Sequence, residues 1–228
     1  MAVSPKRNRI TERREATRRE ILHAAWDIAH ESSIAALTLR EIANRVGMQP
    51  PSLYTHFASK HAVFDAMFEQ AWTEYLDLAT ALDAQLPKAP RPALRLIAHT
   101  FFDFAVADLA RHQLMNQRTV PDFTPSEQAY RPAVEALDLL AGRLSAMGLP
   151  GQGERDLCVA VIGGLVDAQQ ANDPGGDRWE RLVDRAVDMF ADEAGLPGPR
   201  LTPRSTQSRR GPTRQAKGVR REPVTIHR

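Results

Sequence analysis

At 228 residues, with 43% hydrophobic and 25% charged side chains, the chain has the length and balance of a globular protein with its own core. Its longest apolar run, residues 157–166, is half of the roughly 20 residues that cross a bilayer. The first twenty residues are charged throughout and Cys158 is the single cysteine, so no membrane span, secretory signal or internal disulfide is expected, and a cytosolic protein is. The net charge of +2 is segregated: residues 1–20 carry +4, residues 196–228 carry +8, and the body between them carries −10, so a polyanion must be met at the basic ends or on a local patch.

Periodicity is helical almost throughout. Residues 1–10 read as a basic disordered arm. Its Lys6, Arg7 and Arg9, with Arg13 and Arg14 beyond, are either a solubilising tail or a phosphate and minor-groove contact. Residues 11–31 place Ile21, Ala25, Ile28 and Ala29 on one helical face. Thr38 and Glu41 have capping-box spacing, so a short helix is expected to about residue 45, stopped by Gly47. Pro50 and Pro51 then fit the first turn of a second short helix, to about residue 57, because a first-turn proline breaks no hydrogen bond and has its φ preset. Ser59 is the next N-cap, for a helix over 60–85, and residues 86–92 (LPKAPRP) read as a linker. Further helices are expected over 93–110, 112–118, 126–147, 154–171 and 177–194, broken by Pro121 and Pro125, GLPGQG and DPGG. Residues 196–228 are rich in Pro, Gly, Ser, Thr and Arg and read as a basic disordered tail, either a nonspecific DNA tether or inert. The fold class is all-α, with about nine helices.

Two short helices joined by a glycine-containing turn make a helix-turn-helix. Ile42, Val46 and Leu53 are spaced to pack inward, and Ala43 lets the helices cross closely. Gln49, Ser52, Tyr54, Thr55 and His56 are left mainly outward. In such a unit the second helix enters the major groove and its first turns meet base edges.

The run LTLREIANRVGMQPPSLYTHFASKHAVFDAM, residues 37–67, resembles the DNA-binding signature of the TetR family of bacterial transcriptional regulators. Thr38, Ile42, Ala43, Val46, Gly47, Leu53, Tyr54, Phe57, Ser59 and Lys60 carry the resemblance. The C-terminal half matches by helix layout only. The resemblance implies that Thr38, Tyr54 and Lys60 contact phosphates. It also implies that Gln49, Pro50, Pro51, Ser52, Thr55 and His56 face bases or backbone in the groove. Pro50 departs from the often polar family position, and His61 from a common acidic one.

The middle helices hold an aromatic zone in which Trp72, Tyr75, Phe101, Phe102, Met115, Asn116 and Gln169 are candidates to line a ligand pocket. His99, His112 and Gln117 are further scattered polar groups there. The last two helices carry wide apolar stripes: Leu157, Val161, Leu165 and Ala168, then Trp179, Leu182, Val183, Ala186, Val187 and Phe190. Their width points to a face shared by two chains, and the resemblance implies a four-helix bundle with a partner subunit. Gly163 and Gly164 would permit close approach.

No catalytic constellation, metal-ligand spacing or cofactor-binding motif is present, so no enzyme, metal or cofactor is expected. The expected domains are the arm 1–10, a helix-turn-helix domain 11–58, a connecting helix with a ligand-binding and dimerisation domain 59–195, and the tail 196–228. The expected protein is a bacterial, cytoplasmic homodimeric repressor, released from a palindromic double-stranded DNA operator by a small apolar or amphipathic effector. An effector-less or activating DNA-binding protein and a helical protein-interaction module are the alternatives.

Overall fold

The structure is a computed structural model that describes residues 5–199; residues 1–4 of the arm and the tail from residue 200 lie outside the described residues. The described residues form nine α-helices: α1 (Pro5–Glu31), α2 (Leu39–Arg45), α3 (Pro50–Tyr54), α4 (Lys60–Ala81), α5 (Pro90–Val106), α6 (Leu109–Asn116), α7 (Glu127–Ala146), α8 (Gln152–Asn172) and α9 (Val183–Glu193). Short 3₁₀ turns follow α4 and precede α9. None of the described helices is long and apolar enough to cross a membrane.

Local chemistry sets most of these boundaries. Side-chain oxygens at the N-caps accept from the backbone N–H three residues on: Thr38 from Glu41 at 3.2 Å, Ser59 from Ala62 at 3.1 Å, Asp108 from Arg111 at 2.9 Å and Ser126 from Ala129 at 3.2 Å. Gly47 has φ +68°, and two reversed bonds close α2: Met48 N–H to the Ala43 carbonyl at 2.8 Å and Gly47 N–H to the Asn44 carbonyl at 3.2 Å. The same pair of bonds ends α9 at Gly195, where Leu196 N–H reaches the Ala191 carbonyl at 2.8 Å.

Several boundaries differ from expectation: α5 and α6 meet at 106 and 109 where 110 and 112 are expected, α9 begins at Val183 and not at 177, and four further differences bear on the site. The first helix begins at Pro5, so the backbone of residues 5–10 is helical where an unstructured arm is expected. α3 stops at Tyr54, three residues early. α5 begins at Pro90 inside the expected linker, because prolines are accommodated in a first helical turn. The ordered body continues past residue 195: Leu196 is buried at 5% exposure, turned inward by the reversal at Gly195.

Two apolar cores result. The first joins Ile21, Ala25 and Ile28 of α1 to Ile42, Leu53 and Phe57, then to Val63, Phe64 and Met67 of α4, and continues to Leu114 of α6 and Ala129 and Ala133 of α7. The helix-turn-helix is therefore clamped onto α4, which also runs along α7. The second core packs Leu94, Ala98 and Phe102 of α5 against Ile162 and Val166 of α8 and Val183, Val187 and Phe190 of α9.

A buried ionic lattice accompanies the second core. Arg91, 4% exposed, donates to Asp192 Oδ1 at 2.8 Å and to the Leu196 carbonyl at 2.7 Å, and lies 3.6 Å from Asp188 Oδ1. Arg95 also bonds Asp188, and His99 Nε2 lies 3.0 Å from Asp184. Such pairs hold α5 to α9 because removal of either partner strands a buried charge.

Candidate nucleic-acid interface and ligand cavity

α3 is fixed from behind. Leu53 is fully buried beneath it and Phe57, just past its end, is 1% exposed. Two arginines of α1 hold its C-terminal carbonyls: Arg14 donates to Thr55 O at 3.2 Å, and Arg18 donates to His56 O while its guanidinium lies 4.1 Å from the centre of the Phe57 ring. Arg14 was legible only as part of a basic arm, and Arg18 was missed. The signal is available in the sequence: at spacings of four and three they prolong the buried stripe of Ile21, Ala25 and Ile28.

With its inner side fixed, α3 turns Pro51, Ser52 and Tyr54 to solvent, Tyr54 at 54% exposure, and Gln49, Thr55 and Thr38 are exposed around it. Pro50 is half-buried. Two expected groove residues are otherwise engaged. His56 is half-buried in a recess with Arg18, Asp65 and Glu69, and its Nδ1 is sealed from solvent without a partner. It is withdrawn from the exposed row because α3 ends before it. Lys60 donates to the Ala35 carbonyl at 3.1 Å and sits 5.2 Å from the Phe64 ring centre. It ties the start of α4 to the loop before α2.

The second feature is a cavity of about 90 Å³ between α4, α5, α7, α8 and α9, with the end of α6 at its edge. Trp72, Tyr75, Phe101 and Asn116 line it, as expected from the aromatic pattern. Phe102 does not, since it is 1% exposed in the second core. Met115 packs into the first core. Gln169 does not either: its amide donates to the Gly176 carbonyl at 3.1 Å and accepts from Trp179 N–H at 2.9 Å, stapling the turn between α8 and α9. Among the scattered polar groups, His112 Nε2 and Gln117 Nε2 are both bonded to Asp167 Oδ1, at 3.0 and 2.9 Å.

Sequence reasoning missed Leu137, Leu140 and Arg143 of α7 on the cavity wall, where the half-buried Cys158 of α8 also lies. The α7 residues recur at positions 137, 140 and 143, a helical period that is equally consistent with ordinary core. Burial raises the Tyr75 phenol to about 12 and the Cys158 thiol to about 11.

The expected shared face is divided. Val183, Val187 and Phe190 are buried in the chain's own second core, so these three cannot serve a partner. Val161, Leu165, Ala168, Trp179, Leu182 and Ala186 are half-buried, and Leu157 is exposed. The open side of α8 instead carries Leu157, Ala160 and Gly164, and the open side of α9 carries Met189, 64% exposed. A methyl group at Gly164 would meet nothing within 4 Å in the chain.

Residues 21–67, covering α2, α3 and the parts of α1 and α4 that enclose them, match the family of bacterial regulatory proteins called the tetR family. The match is confined to this N-terminal stretch. The N-terminal stretch is similar to the Escherichia coli tetracycline repressor class A from transposon 1721, 41% identical over 54 residues, which is 24% of this chain and 25% of that protein. Similarity to the AcrR regulator of Shigella flexneri extends further, 27% over 101 residues, or 44% of this chain and 47% of that one. The chain thus matches about a quarter of the length of the curated tetracycline repressors. Solved TetR-like structures cover the rest as fold. A TetR family transcription regulator from Marinobacter aquaeolei VT8 superposes with TM-score 0.59 at 22% identity, over 80% of this chain and 97% of that one. FadR from Bacillus subtilis, solved in complex with stearoyl-CoA, gives 0.60 at 16% identity, over 75% and 96%.

Proposed function

We propose that this TetR-family regulator binds a palindromic double-stranded DNA operator as a homodimer, represses transcription there, and is released when a small apolar or amphipathic ligand occupies the cavity of the helical half. The observation that carries the reading is the two-sided construction of α3. Its inner side is locked by Leu53, Phe57 and the α1 arginines, while Pro51, Ser52 and Tyr54 project from it, flanked by Gln49 and Thr55. In the groove, Gln49, Pro50, Pro51, Ser52 and Thr55 meet base edges or backbone, with proline offering an apolar face to a thymine methyl. Thr38, Tyr54 and Lys60 meet phosphates, Lys60 with the protons its bond to Ala35 leaves free. His56, tucked beside Arg18, takes a supporting role.

Two such helices must lie about 34–36 Å apart to read successive major-groove faces, which requires a two-fold dimer. The surface that serves it is the open side of α8 and α9, with Leu157, Ala160, Gly164 and Met189 at its centre. The cavity supports an effector, as does the stearoyl-CoA complex of the FadR that shares the fold. The ligand acts by binding one spacing of the two heads more tightly than the other.

The test is fluorescence anisotropy of the full chain on duplexes from the DNA flanking its own gene. A specific duplex is expected to bind on the order of a thousand-fold more tightly than random duplex at physiological salt. Equal binding to all duplexes would overturn the reading.

A further inference from the structure

α1 runs for 27 residues, and the family match begins only at residue 21, so the first part of the helix, residues 5–20, lies outside the matched stretch. Charge is divided in the same way. Residues 21–67, which hold the helix-turn-helix, carry three Lys/Arg against four Asp/Glu, a net of −1. Of those three cations, Arg45 is paired with Glu31 at 2.6 Å and Lys60 is bonded to the Ala35 carbonyl. Residues 5–20 carry seven Lys/Arg against three Glu, a net of +4. Sequence-independent affinity for a duplex comes from cations that displace counterions from phosphates. The matched head has no net surplus of such charge, and the helix in front of it does.

Two bonds place this extension. Arg14 and Arg18 reach the Thr55 and His56 carbonyls, so α1 crosses the head at the C-terminal end of α3. From Arg14 the helix continues back to Pro5, nine residues or about 13 Å, which is the length of about four base pairs. Its root is held in the first core by Ile21, Ala25 and Ile28, so the extension continues a buried helix and needs little ordering on binding. Arg9 and Arg13 are exposed and four residues apart, hence on one face, and neither has an ion-pair partner among the described residues. Like charges at that spacing repel each other, and a row of phosphates relieves the repulsion. An α-helix about 10–12 Å across does not enter a minor groove about 6 Å wide, and α3 takes the major groove of the half-site. The phosphate backbone is the contact left. An anionic lipid surface fits less well, because Pro5, Ile10 and Ala16 are too few for the apolar face that an interfacial helix buries.

We propose that the N-terminal extension of α1 is a helical arm that lies along the phosphate backbone beside the half-site, with Arg9 and Arg13 as phosphate contacts. This rests on reading α3 as the groove-binding helix, and it adds a second DNA contact outside the helix-turn-helix.

Fluorescence anisotropy of the full chain tests it, on a duplex from the DNA flanking its own gene and on a random duplex, between about 50 and about 200 mM salt. Arg9→Gln/Arg13→Gln removes two charges from exposed positions, and glutamine is as good a helix former as arginine, so the melting temperature should match that of the unmodified chain. Lys88→Glu, at an exposed position before α5, changes the net charge by the same amount away from the head. With two phosphates lost per subunit, the slope of log affinity against log salt should flatten by about 1.8 per subunit, or about 3.6 for a dimer, on both duplexes. Affinity at ~100 mM salt should fall at least about a hundred-fold on each, and the ratio between the duplexes should not change. Lys88→Glu should behave as the unmodified chain does. An unchanged slope in the arm variant, an equal flattening in Lys88→Glu, or a loss confined to the specific duplex would each overturn the proposal. So would binding of the unmodified chain to phosphatidylglycerol vesicles in place of duplex. The two readings fail separately. Equal binding of the unmodified chain to both duplexes sinks sequence reading by α3, while the slope still decides the arm. Specific binding with no flattening in the arm variant sinks the arm alone.

Discussion

The reading head and the helical half are built by opposite means. In the head, everything that fixes α3 lies close in sequence or on one neighbouring helix: Thr38 caps, Gly47 turns, Pro50 and Pro51 start the helix, Leu53 and Phe57 anchor it, and Arg14 and Arg18 brace its end. In the helical half, α5 is held to α9 by a buried arginine lattice linking residues about a hundred positions apart, and the cavity draws its wall from six helices. Local construction leaves a motif in the sequence, and distributed construction leaves only a helical period. That is why the similarity to curated relatives is strongest over the first segment, while the rest is shared as fold.

Substitutions break this comparison in graded ways. The largest effect is expected for Phe57→Ala, which opens the head's core beneath Arg18; unfolding in urea should show a loss of about 3–5 kcal/mol and operator binding should fail. Arg91→Ala takes the donor from the Leu196 carbonyl and one of the cations from Asp188, which keeps Arg95, and should cost about 3 kcal/mol, with the near-ultraviolet signal of the helical half lost first. If both variants melt in a single transition with identical midpoints, the two halves are one cooperative unit and the contrast is one of sequence only. Gly164→Leu should leave thermal unfolding of the subunit nearly unchanged, because nothing in the chain fills that space, and raise the dimer dissociation constant at least about ten-fold in sedimentation. Tyr54→Phe removes one hydroxyl from an exposed residue and should weaken all duplexes alike, by about five-fold, without changing sequence preference. Smallest in consequence for fold or binding is the Cys158 thiol. Burial favours its protonated form, so alkylation at pH 8 should run about a hundred-fold slower than for a thiol of ordinary pKa near 9, rising about ten-fold per pH unit towards 11.

Much of the architecture was legible before any coordinates, and the misses have particular causes. Nine helical segments follow from period and caps, since those signals act within a few residues. α5 begins inside the expected linker because Pro90 and Pro92 look like breakers in a sequence and behave as a first turn in a helix. Leu196 looked like the start of a tail because nothing before Gly195 announces that the chain turns back into the core. In the helix-turn-helix, the exposed row of α3 was readable from Leu53 and its spacing, whereas the shortened helix that withdraws His56 was not. For the cavity, Phe102, one of the four aromatic candidates, was misplaced because an aromatic on a buried stripe reads the same whether it fills core or faces space. The α9 stripe failed likewise: Val183, Val187 and Phe190 mark a buried face, and the sequence does not say that the partner burying it is α5 and α8 of the same chain.

The central claim is that two copies of α3, joined through the open faces of α8 and α9, sit in neighbouring turns of one duplex. DNase I footprinting on the DNA flanking the chain's own gene tests it most directly. The account predicts one protected segment whose halves are inverted repeats centred about one helical turn, or a whole number of turns, apart. Protection over a sequence with no two-fold symmetry, or no protected segment at concentrations that coat random duplex, would contradict it.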